Sequence, residues 1–529
     1  MRSLPAAALL VLLVLAACSK TPDNASPAVS SAPAKNEIAW VRPAAMSDVD
    51  SAFDRAKAGN QPVFLFWSAA WCPPCNQVKS TIFTRQDFID KSRSFVPVYV
   101  DGDTPSGQAL GKCFSVGAYP TMVLLRADGS EITRLAGSVE PAKYMQVLEH
   151  GIAGGSSARE ALAAAMAGTP VSAEDWRLLA FYSWETDEQQ IVPKVQAPAT
   201  LLKLAHACPP EQREASSRLV LQAVAASATA KGDVKPVADK VDALASLQII
   251  LDRPELVREH YDLIAGYASQ MVAYTTAPKS KAREQLVAQW NTALDRLVAD
   301  ATLSNAGRIW ALGGKVDLAR LDNKDGPLPK PLLVLVREQV ARADRDTTDI
   351  NERQSVITSA GGVLADAGLL DESDVLLSIE LERSHSPYYY MSGLASNARK
   401  RGTPESKVAA IEWARQAYET SKGPATRLQW GGAYVNYLLE LAPADAVRIE
   451  AAAARVIGEA VEMPDAFSAR SRRSLERLSE RLQKWNKDDT HDKLLARLHE
   501  KMAPVCASDA LDAADRSACA ALFTPARRA

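Results

Sequence analysis

The chain has 529 residues, enough for roughly two to four domains, and 47 % of them are hydrophobic, ample for buried cores. Its 61 basic and 63 acidic residues nearly cancel, to a net charge of −2, which leaves no basic field to hold nucleic acid or a polybasic lipid contact. Seven cysteines and six histidines remain as carriers of sulfur or metal chemistry.

At the N-terminus, Met1, Arg2 and Ser3 precede an apolar run over residues 6–15 that is too short to span a bilayer comfortably and reads as a secretory signal. Its end, Leu15-Ala16-Ala17-Cys18, resembles a bacterial lipobox. That resemblance implies removal of residues 1–17 and acylation of Cys18, with several chains anchoring stably where one binds only marginally. An ordinary signal peptide cut after Ala17 is the alternative. Ser19 in place of an acidic residue favours the outer membrane, by the same resemblance. Residues 18–37, rich in Pro, Ala and Ser, are expected to form a disordered tether.

The next segment, residues 38–154, carries the densest signal. An apolar strand at residues 62–67 gives way to Trp71-Cys72-Pro73-Pro74-Cys75 at the start of an expected helix. Two thiols at this spacing can close a disulfide, and the first would sit among unsatisfied N–H groups at the positive end of the helix dipole, which favours its thiolate. Half a zinc site is the competing reading, but tetrahedral zinc needs two further Cys or His ligands and none lies nearby in sequence. Downstream, Tyr119-Pro120-Thr121 precedes the apolar run 122–125 and the turn 127–130.

This order resembles the thioredoxin fold, and most closely the C-terminal thioredoxin-like domain of bacterial transmembrane disulfide reductases, over about residues 40–153. The residues that carry it are Phe66 to Cys75, Lys79 to Phe83 with Phe88, Tyr99-Val100-Asp101, Phe114-Ser115-Val116, Tyr119-Pro120-Thr121 and Leu135-Ala136-Gly137. It implies an α/β domain with a central mixed sheet flanked by helices, and a cis Pro120 facing the sulfurs. Two positions depart from the pattern. Where thioredoxins place a buried Asp and a partner Lys, this sequence has Phe66 and Pro97. Loss of both together is physically consistent, because either alone would be a buried unpaired charge. Carboxylate-assisted deprotonation of Cys75 is then in question.

After about residue 155 the composition shifts to Ala, Leu, Glu, Arg and Lys, which predicts a large all-α region. Helices are expected at 158–167, 173–184, 199–207 and 211–230. A break at Gly326-Pro327-Leu328-Pro329-Lys330-Pro331 divides the region into 155–325 and 326–529. Pro387, Pro404, Pro424, Pro443 and Pro464 recur about every 20 residues, and proline is tolerated in a helix's first turn, so each is expected to open a helix. Thr403 should cap the helix that buries Ile411, Ala414, Ala417 and Tyr418, and Gly423 should end it. The next should bury Leu428, Val435, Leu438 and Leu439. Two architectures fit: a solenoid with units of about 40 residues, or an irregular helical domain. The run Tyr388-Tyr389-Tyr390 reads first as core and second as the lining of a binding groove.

Cys506 and Cys519 bracket a short polar stretch that a structural disulfide would staple. Cys113 and Cys208 stay unassigned. A bridge between them would tie the two regions together, and Cys113 alone would be a partly buried thiol, or an auxiliary redox group if exposed. The histidines at 150, 206, 260, 385, 491 and 499 form no metal-ligand spacing, so neither metal nor cofactor is expected.

The expected activity is thiol–disulfide exchange with envelope proteins on the periplasmic side, more as a reductase than an oxidase given the Pro-Pro interior of the motif. Cys72 attacks and Cys75 resolves. Pro120 and the Tyr119 backbone would receive an extended substrate, Trp71 would shield the sulfurs and Pro74 would stiffen the helix start. A membrane partner would supply or accept electrons, and the helical region would recruit substrates. A disulfide isomerase, and a helical scaffold lipoprotein with a thioredoxin-fold adaptor, are the alternatives.

Overall fold

Val63–Ser68 form β1, which is buried along its whole length because it has neighbours on both sides and helices on both faces. Alternation sends Phe64 and Phe66 to one face and Val63, Leu65 and Trp67 to the other. The computed structural model describes residues 37–524 apart from 136–140, 185–186, 188–189, 238–239, 464–465, 468 and 510. The signal segment, Cys18 and most of the tether lie outside the described residues, as does Pro464.

β1 pairs parallel with β2, Val96–Asp101, and antiparallel with β3, Thr121–Leu125, which pairs antiparallel with β4, Glu131–Leu135. The sheet order is β2-β1-β3-β4. α1, Met46–Gly59, and α4, Pro105–Cys113, cover one face through Val49, Ala52, Ala56 and Leu110. α2, Pro73–Thr81, α3, Gln86–Lys91, and α5, Pro141–Ile152, cover the other through Cys75, Val78, Phe88 and Leu148. This is a thioredoxin-like domain with a mixed four-stranded sheet, followed by a large all-helical region.

The helical region is joined to the sheet at once. Ser157 caps helix Ala158–Ala167 in a capping box with Glu160, and Glu160 also bonds Arg126 beyond β3 at 2.8 Å. The expected helix at 173–184 ends at Phe181, because Tyr182 turns extended, bridges to Leu135 of β4 and leads Ser183 N to donate to Arg134 O at 3.1 Å. Those contacts pair the outer edge of β4 at its C-terminal end, Arg134 and Leu135. The helices expected at 199–207 and 211–230 run Ala197–Ala207 and Arg213–Ala228.

A second apolar core extends from Leu221 to Leu394 and runs continuously across the Gly326 to Pro331 segment. The core on the α2 face of the sheet continues into the first helices and again into the C-terminal ones, from Tyr388 to Phe523. Pro404 and Pro424 stand in first turns, and Pro387 caps Tyr388–Arg401. Pro443 instead lies in the turn before Ala446–Val461, whose cap is Asp445. Thr403 accepts from Ser406 N, Ile411, Ala414, Ala417 and Tyr418 are buried, and Leu439 is only half-buried where Leu428, Val435 and Leu438 are core.

Candidate redox site

Cys72 is the N-cap of α2, with Pro73 and Pro74 in the first turn, where their missing N–H groups cost nothing and their fixed φ suits a helix start. Cys72 and Cys75 are joined by a disulfide with Cα atoms 5.2 Å apart. The Cys75 backbone N–H donates to Cys72 Sγ at 3.2 Å. Cys75 is fully buried and Cys72 is 2 % exposed, whereas Pro74 faces solvent. A helix-start N–H aimed at Cys72 Sγ, at the positive end of the helix dipole, favours negative charge there.

The Tyr119–Pro120 peptide is cis and leads directly into β3. The Tyr119 hydroxyl donates to Gly102 O at 3.0 Å and accepts from Gln108 Nε2 at 3.0 Å, and burial pushes its phenol up to about 12, so it stays neutral. The Trp71 ring meets Tyr119 edge-on at 6.2 Å, and its indole N–H donates to Asp103 Oδ2. Burial pushes the Asp103 carboxyl up, while hydrogen bonds from Thr426 and Trp71 and the charge of Arg470 pull it back.

Phe66 occupies the place of the missing carboxylate and is fully buried against Phe83 at 4.7 Å, Tyr99 at 5.5 Å and Trp40 at 6.1 Å. The strand register sets Tyr99 beside Phe66, and Pro97 opposite Phe64. Lys79 lies above the Tyr99 ring at 5.4 Å. Among the described residues, the position from which a carboxylate would take the Cys75 proton is therefore filled by an aromatic side chain.

Four side chains from the helical region reach this site; no motif in the sequence marks Gln354, Thr426 or Arg470, whereas Tyr389 belongs to the tyrosine run whose second reading is a groove lining. Gln354, in helix Ile350–Asp366, accepts from Asn76 Nδ2 at 2.7 Å and donates to Trp71 O at 2.8 Å. The Thr426 hydroxyl donates to Asp103 Oδ2 at 2.5 Å. Tyr389 stacks on Trp71 at 5.8 Å, and the Arg470 guanidinium lies 4.5 Å above the Trp71 ring and 5.0 Å from that of Tyr119. The three tyrosines divide their roles: Tyr388 and Tyr390 are core, and Tyr389 faces the redox motif.

Away from the site, a disulfide joins Cys506 to Cys519 and ties helix Asp492–Cys506 to helix Ala513–Ala520. Cys113 is exposed at the end of α4 and Cys208 is buried, its thiol pushed up to about 12 by burial; neither is in a disulfide. Among the described residues no cluster of His, Cys, Asp and Glu is suited to hold a metal ion, and no helix is long and apolar enough to cross a membrane.

A family model described as "Thioredoxin-like domain" matches residues 49–152. Among curated proteins, thioredoxin H4 of Arabidopsis thaliana is 27 % identical over 99 residues, 18 % of this chain and 77 % of the relative. Thioredoxin of Mycolicibacterium smegmatis is 26 % identical over 106 residues, 20 % of this chain and 92 % of the relative. The solution structure of a thioredoxin from Thermus thermophilus is 26 % identical, covering 21 % of this chain and 85 % of that one, with a TM-score of 0.19. The matched residues contain the sheet and both site cysteines, and residues 49–152 are a thioredoxin-like domain with an intact Cys-x-x-Cys pair.

Proposed function

We propose that this chain is a thiol–disulfide oxidoreductase that acts on envelope proteins from the periplasmic side, tethered through an acylated Cys18 and working chiefly as a reductase. The observation that carries the reading is Cys72 at the N-cap of α2 with the Cys75 N–H directed at its sulfur. In the reduced protein, the Cys72 thiolate attacks one sulfur of a substrate disulfide, that bond breaks, and one substrate thiolate leaves. Cys75 then attacks Cys72 Sγ in the mixed disulfide, releasing the second substrate thiolate and closing the Cys72–Cys75 bond. Two electrons pass to the substrate, and a dithiol donor in the membrane must return them. The lipobox-like N-terminus and a second disulfide remote from the motif support an oxidising, extracytoplasmic setting.

The test is dithiothreitol-driven reduction of insulin by the full mature chain in detergent. Wild type should accelerate it, Cys72→Ser should abolish the acceleration, and Cys75→Ala should accumulate mixed disulfides. A rate no greater than that of dithiothreitol alone, in wild type and in variants that expose Cys72, refutes the reading. A reduction potential near about −270 mV would support the reductive direction, and one near about −120 mV the oxidative one.

A further inference from the structure

Resting on the oxidoreductase reading, we infer that the helical face carrying Gln354, Tyr389, Thr426 and Arg470 is a built-in cover over the docking side of the redox centre. A protein substrate then reaches Cys72 only when that face parts from α2 and Trp71.

Exchange requires a substrate sulfur to approach Cys72 Sγ along the S–S axis, with room for the chain on either side of it. Cys72 is 2 % exposed and Trp71 6 %, which leaves no such room. The closure is made by the helical region as well as by the domain itself. Gln354 bridges Asn76 and the Trp71 carbonyl, Tyr389 stacks on the Trp71 ring, Arg470 spans Trp71 and Tyr119, and Thr426 bonds the same Asp103 oxygen that holds the indole. Gln354, Tyr389 and Arg470 touch Trp71 directly, Thr426 reaches it through Asp103, and the Ser355 hydroxyl adds a bond to Gln77 Oε1 of α2 at 3.2 Å.

Side-chain seams of this kind can exchange their partners for water or for a substrate backbone, since each hydrogen bond contributes little net stability. The Trp71 carbonyl and Asn76 amide, which Gln354 satisfies in the closed state, are groups an extended peptide could satisfy instead. The cover thus restricts the centre to partners able to displace the helical face. Such a restriction protects the dithiol from casual oxidation and selects among substrates.

The test compares thiols within one protein. Fully reduced full-length mature chain is labelled with a polyethylene-glycol maleimide of several kilodaltons and, separately, with iodoacetamide, and labelling is mapped by peptide mass spectrometry. Exposed Cys113 is the internal reference. The cover predicts that the bulky reagent labels Cys72 at least about tenfold more slowly than Cys113, although Cys72 is the more nucleophilic thiol. Gln354→Ala and Arg470→Ala should each raise bulky labelling of Cys72 by roughly tenfold, and insulin reduction with it. Bulky labelling of wild-type Cys72 as fast as that of Cys113 overturns the cover, and needs no variant to fold. If the variants open Cys72 to the bulky reagent and insulin still stays intact, the cover stands and the oxidoreductase reading falls.

Discussion

Phe66→Asp would return a carboxylate to the place where thioredoxins carry one, and the structure predicts that it will harm the protein instead of assisting Cys75. Phe66 is fully buried within a ring of Trp40, Phe83 and Tyr99. Truncating a buried Phe costs about 3–5 kcal/mol, and an unpartnered buried polar group adds about 1–3 kcal/mol. The sum, roughly 4–8 kcal/mol, is comparable to the total stability of a typical domain, about 5–15 kcal/mol. A buried carboxyl in this setting resists ionisation, so its folded pKa lies above the unfolded one and the native state binds more protons. The penalty is therefore smallest in acid and grows as pH rises past the ordinary carboxylate range. Urea unfolding followed by far-ultraviolet circular dichroism should show the midpoint falling by about 2 M or more at neutral pH, given a slope of about 1–3 kcal/mol per molar. Phe66→Leu should cost about 1 kcal/mol and keep insulin reduction. A Phe66→Asp protein with wild-type stability and faster exchange would refute the claim that Cys75 works from an apolar pocket.

Cys506→Ser with Cys519→Ser opens a closure of 13 residues and should lower C-terminal stability by about 3 kcal/mol. Hydrogen exchange should rise first in helix Ala513–Ala520, whose Asp515 bonds Lys112 of α4 at 2.7 Å; unchanged exchange there would contradict the role. Arg126, together with the Ser157 backbone, holds Glu160 down to about 2 from its ordinary 4.5. A carboxylate with a lowered folded pKa contributes stability that is complete above the unfolded value and lost as pH falls through the folded one. The start of helix Ala158–Ala167 should accordingly fray between pH 4.5 and about 2, and Glu160→Gln should show the same fraying at neutral pH by hydrogen exchange. Equal protection in variant and wild type at neutral pH would remove the assignment.

The redox motif and its sheet were legible because their signals are local. An unbroken apolar strand, a paired-thiol helix start and a proline ahead of another apolar run lie within about 60 residues of one another, and each fixes its own backbone. Helix starts at Thr403 and Pro424 were legible for the same reason, whereas Gly423, expected to end the earlier helix, is the N-cap of the next, and Ser421 closes the first. Pro443 misled because proline also suits the turn before a helix, and there Asp445 supplies the cap. The end of the helix at Phe181 depended on Tyr182 finding β4, which no local pattern encodes. Gln354 and Thr426 are buried polar residues within their helices, and Arg470 lies in the first turn of another, with no local pattern to set them apart. Only the tertiary path brings them to a tryptophan hundreds of residues away, and a periodicity argument carries no such information.

The pairing of Tyr182 and Ser183 with β4 also sets how far the sequence must run before the sheet is finished. A fragment cut after residue 154 would lose the partners of Arg134 and Leu135 and lengthen the bare stretch of amide and carbonyl groups on the outer side of Glu131–Leu135, a template for self-association in a test tube. The smallest portable version of this module should therefore extend through Ser183, some thirty residues beyond the end of the family match.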